Sequence, residues 1–207
     1  MKKPMRFIIS MIIWLVILTG SWNGAYADDE VASWFIELGL GYSIPSYGPD
    51  SFQTSWDRDI SISDTHIPIA LDFAIYATIN DKLLLGVTLY GTVDYIELNG
   101  STEQINTYLL GLVTQYYLTD HVTKGLFIKT ALGLGFGKFS ALVSGSSSSL
   151  NFDSGLAGLI GLGYAFPLGM GHTAFTPGID FYFNTLSTSS GSFTGVYGIN
   201  FMLNFLL

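Results

Sequence analysis

The sequence predicts an all-β fold, an eight-stranded antiparallel up-and-down transmembrane β-barrel. Three observations predict it: the chain ends in an apolar alternating segment, seven earlier segments repeat that alternation, and the links between segments alternate between short and long. The composition agrees with this prediction. A mean hydropathy of +0.43 with 15% aromatic residues and 24 glycines is unusual for a soluble globular protein and suits a membrane β-protein.

The last segment, residues 194–207, is the one on which the barrel prediction depends most. Read with a period of two, one face is wholly apolar and the other carries glycine, asparagine and methionine. An open edge strand this apolar would promote aggregation, whereas a strand that closes a barrel has a partner on both sides and faces lipid. The apolar face consists of Tyr197, Ile199, Phe201, Leu203, Phe205 and Leu207.

The first residues resemble an export signal. A basic start at residues 2–6 precedes an apolar run at residues 7–20, and Ala25 and Ala27 are the small residues that signal peptidase reads. The alternative is a retained membrane anchor, which the shortness of the apolar run disfavours. The predicted domains are a cleaved signal peptide, residues 1–27, and an outer-membrane β-barrel domain, residues 28–207.

Two features of the composition exclude whole classes of protein. The chain has no cysteine, which excludes a lipoprotein anchor, disulfide bonds and thiolate metal sites. Without the signal peptide only five basic residues face sixteen acidic ones, so there is no basic patch for nucleic acid. The basic residues that remain are Arg58, Lys82, Lys124, Lys129 and Lys138.

Seven earlier segments alternate between apolar and small or polar residues, as the last one does. Each has at least the nine or so residues that a tilted membrane-spanning strand needs. Together with the last segment they make eight strands, predicted at residues 34–42, 66–79, 83–95, 106–118, 126–136, 155–166, 173–183 and 194–207.

The links predict the orientation. Those at residues 80–82, 119–124 and 167–171 are short, and those at residues 43–65, 97–104, 139–153 and 185–192 are longer. Short periplasmic turns, long external loops and both termini inside are the outer-membrane arrangement. Two aromatic girdles at the lipid boundaries agree with it. They are Trp34, Tyr116, Tyr164, Phe166, Phe175 and Phe205 on the periplasmic side, and Tyr42, Tyr95, Tyr108, Phe136 and Phe183 on the external side.

Two external links carry unusual residues. The serine-rich tract at residues 144–149 predicts a mobile loop tip. The first long link predicts a solvated acidic loop, whose aromatic residues offer a surface for an external ligand. This link contains Asp50, Asp57, Asp59 and Asp64 around Arg58, with Tyr47, Phe52 and Trp56.

With these segments in place, the chain resembles the small outer-membrane β-barrel family, which includes OmpX, OmpW and the OmpA transmembrane domain. The resemblance is one of pattern and covers the whole mature chain. It implies that the apolar face of residues 194–207 is the signal read by the barrel-assembly machinery. The family signal ends in an aromatic residue, whereas this chain ends in Leu207 with Phe205 two residues earlier. The surroundings are then outer-membrane lipid, and the expected state is a monomer.

Polar and charged residues on the inward faces form a candidate lumen network. A buried charge is costly unless it is paired, so Lys129 is expected to pair with Glu37 first, or with Asp72 or Asp180. A polar plug is favoured over a gated ion path, because eight strands leave an interior only wide enough for side chains. The network is Glu37, Asp72, Tyr76, Tyr90, Gln115, Tyr117, Lys129, Asp180 and Tyr182.

The sequence shows no catalytic, metal or cofactor site. His66, His121 and His172 are scattered, and none has a serine two residues later, as the lipid A hydrolases of this barrel class require. The glycines at 133–137 and 158–163 lie within alternating strands rather than at a strand-to-helix phosphate loop. The sequence therefore predicts a non-enzymatic outer-membrane barrel with a structural or surface-interaction role. The alternatives are OmpW-like transport of small solutes and lipid A modification.

Overall fold

The computed structural model describes residues 34–143, 145–169, 172–186, 188 and 195–207. The predicted signal peptide lies outside the described residues. The described chain forms nine strands and one helix. In chain order they are β1 (Trp34–Gly48), α1 (Asp50–Ile62), β2 (Thr65–Asn80), β3 (Leu83–Leu98), β4 (Ser101–Tyr117), β5 (Gly125–Val143), β6 (Ser146–Asn151), β7 (Gly155–Pro167), β8 (Ala174–Asn184) and β9 (Gly195–Leu206).

Eight of the strands close into an antiparallel barrel, which confirms the predicted fold class. Each strand pairs with the next in the chain, except that β5 pairs with both β6 and β7, and β9 returns to pair with β1. Followed from strand to strand, the register that starts at Glu37 passes through Gly111 and Asn184 and returns to β1 at Tyr47, ten residues further along. A stagger of this kind accompanies strand tilts of about 35–45° in closed barrels.

Among the described residues, no helix has the length and apolarity needed to cross a membrane.

The two faces of each strand differ as the alternation predicts. Outward side chains are large, apolar and exposed, as on the lipid-facing surface of a membrane barrel. On β9, Leu203 is 56% exposed while its neighbours Met202 and Asn204 are buried. Leu207 continues this strand by two backbone hydrogen bonds with Ile36, of 2.9 and 2.8 Å. The outward set on β9 is Tyr197, Ile199, Phe201, Leu203 and Phe205.

The aromatic side chains of the two predicted girdles meet across neighbouring strands. Near the short turns, the Phe175 ring lies 5.4 Å from Phe205 and 6.5 Å from Phe166, measured between centroids. Towards the other end, Tyr108 and Phe136 stack at 5.3 Å. Strands β1 to β5 continue for several residues beyond the level of Tyr108 and Phe136.

The prediction of a long link at residues 97–104 is wrong. β3 and β4 continue through this region and are joined by a turn of two residues. Asn99 and Gly100 have φ values of +49° and +75°. Positive φ at both central positions is the geometry of a type I′ hairpin turn, for which asparagine followed by glycine is the preferred pair. The external wall is therefore taller here than the sequence analysis predicted.

The prediction of a long link at residues 139–153 is also wrong. β5 continues to Val143, and β6 folds back along it with Ser148 opposite Ala141. The serine-rich tract is thus mostly strand rather than a loop tip; Ser144 itself lies outside the described residues. Serine can pair in this ladder because backbone hydrogen bonds join β5 to β6.

The link predicted at residues 43–65 as a solvated acidic loop contains helix α1. Its Trp56 side chain is only 3% exposed and belongs to the buried core. The acidic residues Asp50 and Asp57 remain exposed on its other side. The aromatic residues of this link therefore face the barrel and do not form an external surface, which corrects that expectation.

Candidate functional site

A buried ion cluster occupies the middle of the barrel. The Lys129 ammonium on β5 reaches across the interior and contacts both Glu37 on β1 and Asp72 on β2. Thr88 donates a 3.3 Å hydrogen bond to the second oxygen of Asp72. The side-chain amide of Asn204 lies 3.4 Å from the same Glu37 oxygen that Lys129 contacts. The cluster thus ties five strands, β1, β2, β3, β5 and β9, together through their inward side chains.

All nine residues of the predicted lumen network lie inside the barrel, each with at most 4% of its surface exposed. They form more than one group. Above the ion cluster, Tyr90 accepts a 2.8 Å hydrogen bond from Asn200, and its ring lies 5.6 Å from Tyr182. Nearer the short turns, Gln115 donates a 2.9 Å hydrogen bond to the Tyr117 hydroxyl. The remaining members are Glu37, Asp72, Tyr76, Lys129 and Asp180.

Asp180 stands apart from the ion pairs of Lys129. The structure brings Glu37 and Asp72 together on the ammonium, while Asp180 on β8 faces Tyr90 and lies within electrostatic range of Lys129 without pairing with it. The carboxylate rests against Gly161 of β7, where a Cβ atom would come within 2.0 Å of the Asp180 Oδ1 atom. Glycine at this position gives the carboxylate its space.

Helix α1 covers the opposite end of the barrel from the short turns. The Trp56 ring makes edge contacts with Tyr47 of β1 at 6.0 Å and with Phe139 of β5 at 6.5 Å, and it stacks with Phe52 at 6.4 Å. Ile60 packs against the same core. Phe52, Trp56 and Ile60 recur every four residues, so they share one face of the helix.

One carboxylate anchors this helix. Asp94 on β3 is 1% exposed, and its Oδ2 atom accepts hydrogen bonds of 2.7 Å from both the Trp56 indole and the Tyr47 hydroxyl. Its Oδ1 atom lies 2.7 Å from Nε2 of His66 on β2. The anchor, defined as Asp94 with Tyr47, Trp56 and His66, joins the helix to three strands.

Solved structures share this architecture. Neisserial surface protein A is 9% identical to the chain, with a TM-score of 0.57 over 86% of this chain and 99% of that one. Ail, the attachment invasion locus protein of Yersinia pestis, is 13% identical, with a TM-score of 0.50 over 84% of this chain and 99% of Ail. The fold is that of the small outer-membrane β-barrels. No protein-family model and no curated protein matches the sequence.

The likeness of the chain to those structures is one of fold alone, since fewer than one residue in five is identical. The ion cluster and the anchor therefore rest on the contacts of this chain alone. Ail has also been solved in complex with the heparin analogue sucrose octasulfate, and that structure has a TM-score of 0.51 with the chain.

The anchor was not predicted from the sequence. His66 was considered only as one of three scattered histidines, and Tyr47, Phe52 and Trp56 were assigned to a loop. The recurrence of Phe52, Trp56 and Ile60 at intervals of four was the available signal for a helix with one apolar face.

The partners of the barrel's histidines are carboxylates. His66 contacts Asp94 at 2.7 Å, and His121 lies 3.6 Å from Asp120. Within the described part of the chain, no three residues of the histidine, aspartate and glutamate types are grouped to hold a metal ion. The geometry offers neither ring a serine to activate.

Proposed function

We propose that this chain is an outer-membrane barrel with a closed lumen that acts at the cell surface. The wall formed by the outer parts of β4 and β5 together with β6, the β4–β6 wall, is the interacting element. The observation that carries this proposal is the free edge of β6. This strand pairs only with β5 in the described sheet, and all six of its residues are exposed.

The closed lumen is supported by the two buried groups described above. The contacts of Lys129 with Glu37 and Asp72 cross the interior, and α1 lies over the external end. Eight strands enclose a space that side chains of this size fill. A structural or surface role follows more directly from this interior than conduction does.

The edge of β6 suits the addition of a further strand. Natural proteins usually protect an edge strand with lysine, proline or a bulge, and residues 146–151 contain neither lysine nor proline. An extended peptide can add to such an edge, with the backbone supplying affinity. We infer an extended polypeptide as the partner class. Among the described residues of the β4–β6 wall, Lys138 is the one cation on the outward face. A polysulfated ligand therefore fits this wall less well than an extended polypeptide does.

The partner class is tested by a proline scan of residues 146–149. Peptides selected against the reconstituted protein from a library of extended sequences are expected to lose binding at alternate proline positions, because successive N–H groups point to opposite edges of a strand. The binding constant of each variant is measured beside its melting temperature. Loss at every position, or at none, would contradict strand addition. Asp81→Pro serves as the control, because Asp81 lies in the short β2–β3 turn, outside the strands and at the opposite end of the barrel.

The orientation is tested by protease-cleavable tags. A tag beside Gly145 at the β5–β6 turn is expected to be cut on intact cells. A tag at residues 80–81 in a short turn is expected to be cut only after the outer membrane is opened. Cleavage is followed by immunoblot. The reverse accessibility would place the β4–β6 wall in the periplasm and overturn the surface role.

Transport remains the first alternative and lipid A modification the second. A lateral solute route would have its best position at β7 and β8, where the ladder between Gly163–Gly178 and Phe166–Phe175 is interrupted at Pro177, which lacks an N–H donor. Stepwise conductance in planar bilayers would support transport. A changed lipid A mass spectrum on expression would support the enzyme.

A further inference from the structure

The buried interior holds more carboxylates than cations. Of the buried charged side chains in the described residues, Glu37, Asp72, Asp94 and Asp180 are acidic and Lys129 alone is basic. Asp94 has His66 beside it, and Lys129 contacts two of the others. Asp180 is left without an ion pair, and burying a carboxylate that has no directly paired cation is unfavourable.

Three residues with an unpartnered side-chain oxygen lie side by side on neighbouring strands. Asp180 of β8 is opposite Asn200 of β9, and Asn200 is opposite Ser43 of β1. These side chains are 4%, 0% and 1% exposed. Among the described residues, no group hydrogen-bonds to Asp180 Oδ2, Asn200 Oδ1 or Ser43 Oγ. Three adjacent strands span about 10 Å, so side chains pointing inward from one row can meet at a single point.

Of the neighbouring donors, the Tyr90 hydroxyl faces Asp180, while the Asn200 amide and the Lys129 ammonium are engaged elsewhere. The Asn200 amide nitrogen donates its 2.8 Å hydrogen bond to Tyr90, which leaves the Asn200 carbonyl oxygen to face another direction. Lys129 lies on the same row as Gly161, but its ammonium is used by Glu37 and Asp72. The row of Ser43, Asn200 and Asp180, called here the oxygen row, therefore combines one negative charge with two neutral oxygens.

We propose that the oxygen row binds a sodium ion inside the barrel. A sodium ion would supply the positive charge that Asp180 lacks and would use all three free oxygen atoms. A single carboxylate suits a monovalent ion, whereas calcium takes six to eight oxygens and commonly several carboxylates. This site is independent of the surface role and of any conduction.

The test is urea unfolding of the full barrel in detergent at pH 8 and constant ionic strength, with sodium chloride progressively replacing N-methylglucamine chloride. The urea midpoint is expected to rise with the logarithm of the sodium concentration, since a ligand that binds only the folded state stabilises it. Asp180→Asn is expected to abolish this dependence and to have a midpoint without sodium at least equal to that of the wild type.

Two further variants make the result specific. Asp81→Asn removes an equal charge from an exposed turn and is expected to keep the full sodium dependence. Ser43→Ala keeps every charge but removes one ligand, so about tenfold more sodium is expected for half of the effect. Midpoints that are equal in the two salts would overturn the proposal. So would a midpoint that falls with rising pH without responding to sodium, because Asp180 then holds a proton.

Discussion

Replacing Lys129 with methionine is expected to destabilise the barrel by about 3–5 kcal/mol, because removing one partner of a buried ion cluster leaves the others uncompensated. Lys129 is 1% exposed and contacts both Glu37 and Asp72. Methionine retains most of the side-chain volume, so the loss reports the charge rather than a cavity. The free energy of unfolding is measured by urea titration in detergent or lipid.

Neutralising either carboxylate of the cluster should recover part of the stability that Lys129→Met loses. Glu37→Gln in the Lys129→Met background is expected to restore part of the lost stability, and Asp72→Asn added to both is expected to restore more. Residues within one buried network are coupled in this way, and a double-mutant cycle measures the coupling. Lys82→Met is the matched control, since Lys82 is partly exposed in a short turn, and it is expected to change stability by less than about 0.5 kcal/mol.

Single-channel recording gives the same variants a second readout. If the ion cluster closes the lumen, Lys129→Met is expected to raise conductance, because repulsion between Glu37 and Asp72 admits water. An unchanged free energy of unfolding together with an unchanged, near-zero conductance would contradict the paired-cluster account. An already conducting wild type would favour transport.

The barrel wall could be predicted from the sequence because lipid and lumen impose opposite demands on successive residues. Leu203 must be apolar and Asn204 can be polar, so alternation with a period of two indicates whether a residue faces lipid or the lumen. The same logic placed Lys129, Glu37 and Asp72 inside. It could not decide between Asp72 and Asp180 as the second contact, because contacts across the lumen depend on the stagger of the closed barrel, which no local pattern encodes.

The elements beyond the membrane level could not be predicted in the same way. All six residues of β6, Ser146–Asn151, are exposed, so the alternation of buried and outward positions that marks a barrel strand is missing there. Helix α1 is held by a few aromatic side chains within an acidic segment, and its period is masked by the polar residues between them. Asn99 followed by Gly100 carried the clearer local signal, since this pair is typical of a two-residue hairpin turn.

Replacing Asp94 with alanine is expected to free helix α1 from the barrel without unfolding the barrel. The substitution leaves the Trp56 indole and the Tyr47 hydroxyl without their shared acceptor, and each unsatisfied buried donor costs about 1–3 kcal/mol. A cost of about 1.4 kcal/mol changes an equilibrium tenfold. The population with the helix undocked is therefore expected to rise by at least about tenfold.

Trypsin measures this undocking, because Arg58 lies on α1 and is exposed. Cleavage after Arg58 is expected to be at least about tenfold faster in Asp94→Ala, since proteolysis of a transiently opened segment follows its population. In a Trp34→Phe background, the emission of Trp56 should shift to longer wavelength as it meets water.

The control for the anchor is Asp153→Ala, which removes an exposed carboxylate on the same side of the barrel and should leave both readouts unchanged. The urea midpoint separates undocking from unfolding: it should stay nearly constant in Asp94→Ala, because the strand ladders of the barrel do not pass through α1. Equal cleavage rates in the two variants would mean that the aromatic contacts of Trp56 alone hold the helix. A midpoint lowered in parallel with faster cleavage would mean that α1 is part of the barrel's cooperative unit rather than a separately docked cap.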